Sequence, residues 1–336
     1  MTQKTILTGI TTTGTPHLGN YAGVIRQAIH ASFEKEHRSF YFLADYHALI
    51  KTHDPIKVKQ SCLEVAATWL ALGLDSDRTY FYRQSDIPEI PELMWILNTF
   101  TAKGLMNRAH AYKSAVQANK ESDAKDPDKG VSMALYSYPV LMAADILMFK
   151  STHVPVGQDQ KQHLEMTRDI AQRFNHHFGD IFVIPEVVIE RDASVLPGLD
   201  GRKMSKSYSN SIPLFLPSAE LRKLIMKIKT NSLEPGEPKA TKNCPLFDIF
   251  QGIATPEATS EFKDKLEHGV AWGEAKEELF LYLEDLFSGP REEYLKLMND
   301  PKYVDKLLKS GAAKARELSQ PFLREIKAAV GIDWLD

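Results

Sequence analysis

Residues 5–20 read Thr-Ile-Leu-Thr-Gly-Ile-Thr-Thr-Thr-Gly-Thr-Pro-His-Leu-Gly-Asn, and the fold turns on how they are parsed. Thr5–Thr8 is a β-prone run ended by Gly9, followed by a polar loop and a helical stretch from about Leu18 to Lys35. Glycines let the loop backbone approach a ligand, and the helix N-terminus beyond it offers unpaired N–H groups to an anion. No Gly-x-Gly-x-x-Gly follows the strand, which counts against a dinucleotide-dependent oxidoreductase. Gly14 and Gly19 have Walker-like spacing, but Asn20-Tyr21 stands where Lys and Ser/Thr are required. What remains is a Pro-His-Leu-Gly-Asn turn with His17 and Asn20 as donors on the first helical turn.

The alternation continues outward. Ser39–Ala44 reads as a buried strand with Asp45-Tyr46-His47 at its carboxyl end, then a helix over Pro55–Leu72 and a strand over Thr79–Tyr82. Val154-Pro-Val156-Gly157 is another strand exit, feeding a helix from about Asp159 to Phe174. This pattern predicts an α/β, Rossmann-like doubly wound parallel sheet, whose ligands bind beyond the carboxyl ends of the strands. Asp45, His47 and the Gly9–Gly14 loop fall there. Residues 107–130, rich in Lys and Asp, read as a long mobile loop. From about Ile212 only helices are expected. Ser218 caps one over 218–230, with Leu221, Leu224, Ile225 and Ile228 on one face; others cover about 256–267, 271–287, 301–309 and 312–330.

The 336 residues suffice for one large and one smaller unit, and 43% hydrophobic with 25% charged residues is ordinary for a globular protein. A net charge of −3 carries no global basic field, so any nucleic-acid contact must be local. Cys62 and Cys244 are too few for a zinc or iron–sulfur set and are expected to be inert thiols in a reducing compartment. No signal-peptide pattern and no run of membrane-spanning length is seen, so a cytoplasmic chain without a membrane partner is expected.

Arg202-Lys203-Met204-Ser205-Lys206-Ser207 places two lysines three apart, flanked by Gly198 and Gly201. Such a cluster suits a polyphosphate held while one of its bonds breaks. Paired with the His17 turn about 185 residues upstream, it resembles the KMSKS and HIGH signatures of class I aminoacyl-tRNA synthetases. Residues 131–175, VSMALYSYPVLMAADILMFKSTHVPVGQDQKQHLEMTRDIAQRFN, resemble the bacterial branch of the tryptophan-specific members.

Tyr138, Met142, Asp145 and Phe149 fall at i, i+4, i+7 and i+11, so one helix face is an apolar and aromatic wall with a single carboxylate. That carboxylate needs a donor: local backbone, a distant Arg, or an indole N–H. The resemblance implies the last for Asp145. It also implies that Leu7, His47, Met142, Val154 and Val156 line the side-chain pocket, and that Tyr138 and Gln160 lie near the substrate amine. Leu7 stands where the family often has an aromatic.

For ATP the resemblance implies Thr11, Thr12, Thr13, Gly19 and Asn20 at the first turn, Gly157, Gln158 and Asp159 at the ribose, and Val195 beside adenine. Lys203, Met204, Ser205, Lys206 and Ser207 hold the pyrophosphate end, assisted by Lys113. Thr11-Thr12 replaces a usual Gln-Pro, and Gln158 a common Glu. His17, Asn20, Lys203 and Lys206 are the implied catalytic groups, working with Mg²⁺ on ATP and no protein-ligated metal. The nucleophile, a substrate carboxylate, is already ionised, so no general base is needed.

The expected organisation is a catalytic domain over 1–200, of the HUP type, and a KMSKS loop over 201–211. A helical tRNA anticodon-binding domain covers 212–311, and a C-terminal helix, about 312–336, packs back onto the first unit. Arg222, Lys223, Lys227 and Lys229, with Lys302, Lys306, Lys309, Lys314 and Arg316, are candidate RNA-phosphate contacts. L-tryptophan, ATP and tRNA(Trp) are the implied partners, and a homodimer the implied assembly. Rival readings are a tyrosine-specific synthetase, a small-molecule nucleotidyltransferase and a non-catalytic paralogue. A serine nucleophile at Gly130-Val-Ser132-Met-Ala134 is set aside, because it opens a helix rather than ending a strand, and Ser132 reads as a cap.

Overall fold

A computed structural model describes residues 4–12, 14–34, 36–157, 160–189 and 195–333. Among them, β1 (Lys4–Thr11), β2 (His37–Ala44), β3 (Tyr80–Arg83), β4 (His153–Val156) and β5 (Glu186–Ile189) form one parallel sheet, in the order β3-β2-β1-β4-β5. Side chains alternate across β2. Phe40, Phe42 and Ala44 join one apolar cluster, while Tyr41 and Leu43 join another on the opposite face. Helices therefore cover both faces, as the strand–helix alternation predicts.

α1 (Leu18–Asn20) runs through a π-helical turn (Tyr21–Ile25) into α2 (Arg26–Ser32). After β2 come α3 (Asp45–Ala48) and α4 (Pro55–Ala71), the latter started by Asp54, whose carboxylate accepts from the Ile56 and Lys57 amides. Between β3 and β4 lie α5 (Glu89–Phe100), α6 (Lys103–Met106), α7 (His110–Glu121) and α8 (Met133–Met148), and α9 (Lys161–Phe178) follows β4. Ser132 caps α8 by accepting from the Leu135 amide, as expected.

The long loop expected over 107–130 is largely α7. This helix buries none of its residues, so its sequence lacks the apolar stripe that would have announced it. β1 likewise does not stop at Gly9. A Cβ there would lie 2.5 Å from the Phe42 ring, so glycine makes room for that ring and the strand runs on to pair Thr11 with Ala44.

The remaining helices are α10 (Ser218–Ile225), α11 (Pro245–Ile253), α12 (Pro256–Glu267), α13 (Trp272–Asn299) and α14 (Pro301–Val330). Pro217, not Ser218, holds the cap position of α10. Residues of α10 to α13 share one core with Leu18, Tyr21, Leu196 and Met204, so the helix after β1 is built into the helical unit. Burial pushes the Cys62 thiol up to about 11 and raises Cys244 as well, which keeps both protonated at neutral pH.

α14 is continuous from Pro301, and no break occurs at Ser310-Gly311. Gly311 lies against the backbone of Phe81, where any Cβ would overlap the carbonyl oxygen. Its neighbours fasten it there. Lys314 donates to the carbonyls of Ser76 at 2.8 Å and Thr79 at 3.3 Å; Arg316 pairs with buried Glu89 at 3.0 Å, and Arg83 with Asp305 at 2.8 Å. Lys314 and Arg316 thus brace the α/β unit. Gly311→Ala is expected to lower stability by about 2–3 kcal/mol, read as a fall in the urea midpoint. An unchanged midpoint would show that this close approach is not needed.

Candidate active site

The carboxyl ends of β1, β2 and β4 open onto a cavity of about 480 Å³ between the sheet and α8. All eight residues expected around the amino acid line it: Leu7, His47, Tyr138, Met142, Asp145, Val154, Val156 and Gln160. β1 contributes Leu7, Thr8, Gly9 and Thr11, and β4 contributes Val154, Pro155 and Val156. Phe149, expected on the same wall, is outside the lining and stacks on Phe40 with ring centroids 4.6 Å apart.

Asp145 is the single acid among the described lining residues and is 1% exposed. Among the described residues, neither local backbone nor an arginine meets it. His47 Nε2 donates to its Oδ2 at 3.0 Å, and the Gln84 amide donates to Oδ1 at 2.8 Å and Oδ2 at 2.9 Å. Burial holds Asp145 above the usual carboxylate range, and the His47 and Gln84 donors work against that shift. Gln84 escapes a reading of the sequence. A single glutamine after β3 has no spacing signature, and only the β3-β2-β1 order brings it behind Asp145.

At the other end of the cavity, Gln160 Oε1 faces His163 Nδ1 at 3.0 Å, and Tyr138 Oη lies 2.6 Å from His163 Nε2. An amide oxygen only accepts, so His163 donates from Nδ1 and receives the Tyr138 hydroxyl at Nε2. His163 thus fixes two expected residues and was itself not expected. Gly157 and Thr11 line the same cavity, whereas Thr12, Gly14 and Glu64 line a neighbouring one of about 470 Å³. Thr13, Gln158 and Asp159 lie outside the described residues. Val195 is exposed.

The two signature segments meet. Leu18 donates its amide to Ile212 O at 2.8 Å and Leu214 to Pro16 O at 3.3 Å, so the backbone just beyond the lysine strap clasps the His17 turn. Asn20 Oδ1 accepts the His17 amide at 3.0 Å, and the Gly19 amide points at Met204 Sδ, 3.3 Å away. Met204 is buried in the helical core, which makes it the strap's packing anchor. Ser205 N donates to Asn210 Oδ1 at 2.9 Å, and Asn210 Nδ2 to Lys203 O at 3.2 Å. The Ser207 amide donates to Ser205 Oγ at 3.3 Å.

Lys206 reaches across to the first loop, where a Cβ on Gly14 would be 3.4 Å from its Nζ. Burial, with Lys206 nearby, pulls His17 down to about 4, so its imidazole is neutral at pH 7. Positive charge here belongs to the lysines, and His17 is a neutral hydrogen-bonding group. Lys113, on α7, lines a separate surface groove.

Residues 2–288 match the family of class I tRNA synthetases (W and Y). The chain is 58% identical over 330 residues to the tryptophan–tRNA ligase of Pseudomonas syringae, spanning 97% of this chain and 73% of that one. With the tryptophan–tRNA ligase of Neisseria meningitidis it shares 56% identity over 332 residues, 99% of both chains. Its fold matches the tryptophanyl-tRNA synthetase of Campylobacter jejuni, solved with ADP and tryptophan, with a TM-score of 0.87 at 39% identity over 97% of this chain and 99% of that one.

Proposed function

Because the chain belongs to the class I tRNA synthetases that serve tryptophan and tyrosine, we propose that its sheet-edge cavity takes the side chain of L-tryptophan, with Asp145 accepting from the indole N–H. The chain activates tryptophan with ATP and charges tRNA(Trp). The observation that carries the pocket assignment is a lone buried carboxylate in a largely apolar slot, held by His47 from the cavity wall and by Gln84 from behind. An indole is flat, apolar and donor-only, which suits that slot.

In the first step the tryptophan carboxylate attacks the α-phosphorus of ATP. The bond from that phosphorus to the bridging oxygen breaks, giving tryptophanyl-adenylate and pyrophosphate. Two anions must be brought together and the leaving charge held, which is work for positioning and electrostatics. Lys203 and Lys206 stabilise the pyrophosphate, while His17 and Asn20 hold the phosphate chain from the helix side. Mg²⁺ enters with ATP as part of the substrate. Tyr138 and Gln160, oriented through His163, face the substrate amine. In the second step the terminal adenosine of the tRNA takes the tryptophanyl group and AMP leaves.

The helical unit, with Lys223, Lys227 and Lys229 on α10 and the turn after it, is the side we assign to the anticodon arm. Arg222 is already paired with Glu277 at 2.9 Å. A homodimer acting in the cytoplasm completes the reading. No described helix is long and apolar enough to cross a membrane.

ATP–pyrophosphate exchange measured across the twenty amino acids tests the assignment. Exchange with tryptophan alone is expected, whereas exchange with tyrosine and none with tryptophan would overturn it.

A further inference from the structure

We propose that Gln84 is a positioning residue that sets tryptophan specificity: by donating to both oxygens of Asp145 it holds the carboxylate as an acceptor turned toward the indole N–H. The inference rests on the cavity being the tryptophan site. Gln84 is fully buried, sits directly behind β3 and does not line the cavity, so it acts on substrate only through Asp145.

The geometry fixes the direction of the amide. One Nε2 serves both carboxylate oxygens, at 2.8 and 2.9 Å. Its Oε1 is buried and has no hydrogen-bond partner among the described residues. A flipped amide would set that oxygen against the carboxylate and leave two N–H groups unpaired, so an ionised Asp145 and this amide orientation require each other. Without Gln84, only His47 Nε2 would remain on Asp145, at Oδ2, and the carboxyl group would be free to rotate and to take a proton. A protonated carboxyl can turn a hydroxyl donor toward the indole, and a rotated carboxylate no longer aims its oxygen there, where the indole N–H needs an acceptor. Selectivity for the N–H would then fall even though every wall of the cavity stayed in place.

The test compares tryptophan with its benzothienyl analogue, in which sulfur replaces the ring N–H, by kcat/KM in ATP–pyrophosphate exchange. The parent enzyme is expected to favour tryptophan by about a hundredfold, the effect of leaving one buried acceptor without its donor. Gln84→Met keeps the volume and removes the donor. It should cut the preference to about tenfold or less, through a raised KM for tryptophan at nearly unchanged kcat and an unchanged KM for the analogue. A purely space-filling role for Gln84 would leave the preference intact. Gln84→Glu gives a second arm should the methionine variant fail to fold. Two carboxyl groups sharing a proton keep the site polar and filled, and the preference should still fall. Full preference for the N–H in either folded variant overturns the inference. A parent enzyme that does not separate the two substrates instead overturns the tryptophan assignment itself.

Discussion

Lys206→Ala is expected to slow amino-acid activation by about a hundredfold to a thousandfold, with tryptophan affinity nearly unchanged, as befits loss of one preorganised charge acting on the transition state. The reason lies in the distribution of charge around the phosphate site. His17 sits at about 4 and is neutral at working pH, so it cannot replace a lost cation. Lys206 alone reaches over Gly14 from the strap, and the ammonium must meet the negative charge that develops on the leaving pyrophosphate. Because that charge grows along the reaction, the loss should appear in kcat for exchange rather than in tryptophan binding. Equilibrium titration with tryptophan, run beside pre-steady-state adenylate formation, separates the two. A variant that activates at the parental rate would remove Lys206 from the mechanism.

Asp145→Ala should act in the opposite sense, raising the KM for tryptophan by about a hundredfold or more while kcat at saturation changes little. The substitution removes the indole acceptor and strands two buried donors, the His47 Nε2–H and the Gln84 amide. Unpaired donors cost about 1–3 kcal/mol each, so a lower melting temperature should accompany the kinetic change. Acid should mimic the substitution. Burial holds Asp145 above the ordinary carboxylate range, against the donors His47 and Gln84 and with Asp45 and Tyr82 nearby. Falling pH therefore protonates it earlier than a surface aspartate, and the KM for tryptophan should rise on acidification. Equal losses of tryptophan affinity in Asp145→Ala and Lys206→Ala would show that the two roles are wrongly divided.

The parallel sheet and both signature segments were legible because their information is local. A strand pattern ending in a glycine-bearing loop, and a Lys-x-x-Lys strap, declare themselves within a few residues. The errors share a different cause. α7 was read as a loop because it buries nothing, and α14 was read as two helices because Gly311 looks like a stop. The helix expected over about 271–287 likewise runs on through Pro290 to Asn299, with Phe287 and Leu297 buried along it. In α13 and α14 tertiary packing overrode intrinsic propensity. Gln84 and His163 were missed for the complementary reason. Each acts through a residue far away in sequence, and only the strand order and helix packing bring the partners together. His163 comes three residues after Gln160 and so had a helical-spacing cue, whereas Gln84 had none.

The clasp between α14 and the outer strand also governs when this protein can finish folding. β3 is an edge strand, and its lid, α14, lies far along the chain from it; Arg316 and Glu89 are 227 residues apart. More than two hundred residues, the 227 from Glu89 to Arg316, must therefore leave the ribosome after β3 before that rim can be sealed, and the nascent sheet waits with this border open. Removing α14 would make this transient state permanent, leaving the border of the sheet a standing invitation to aggregate.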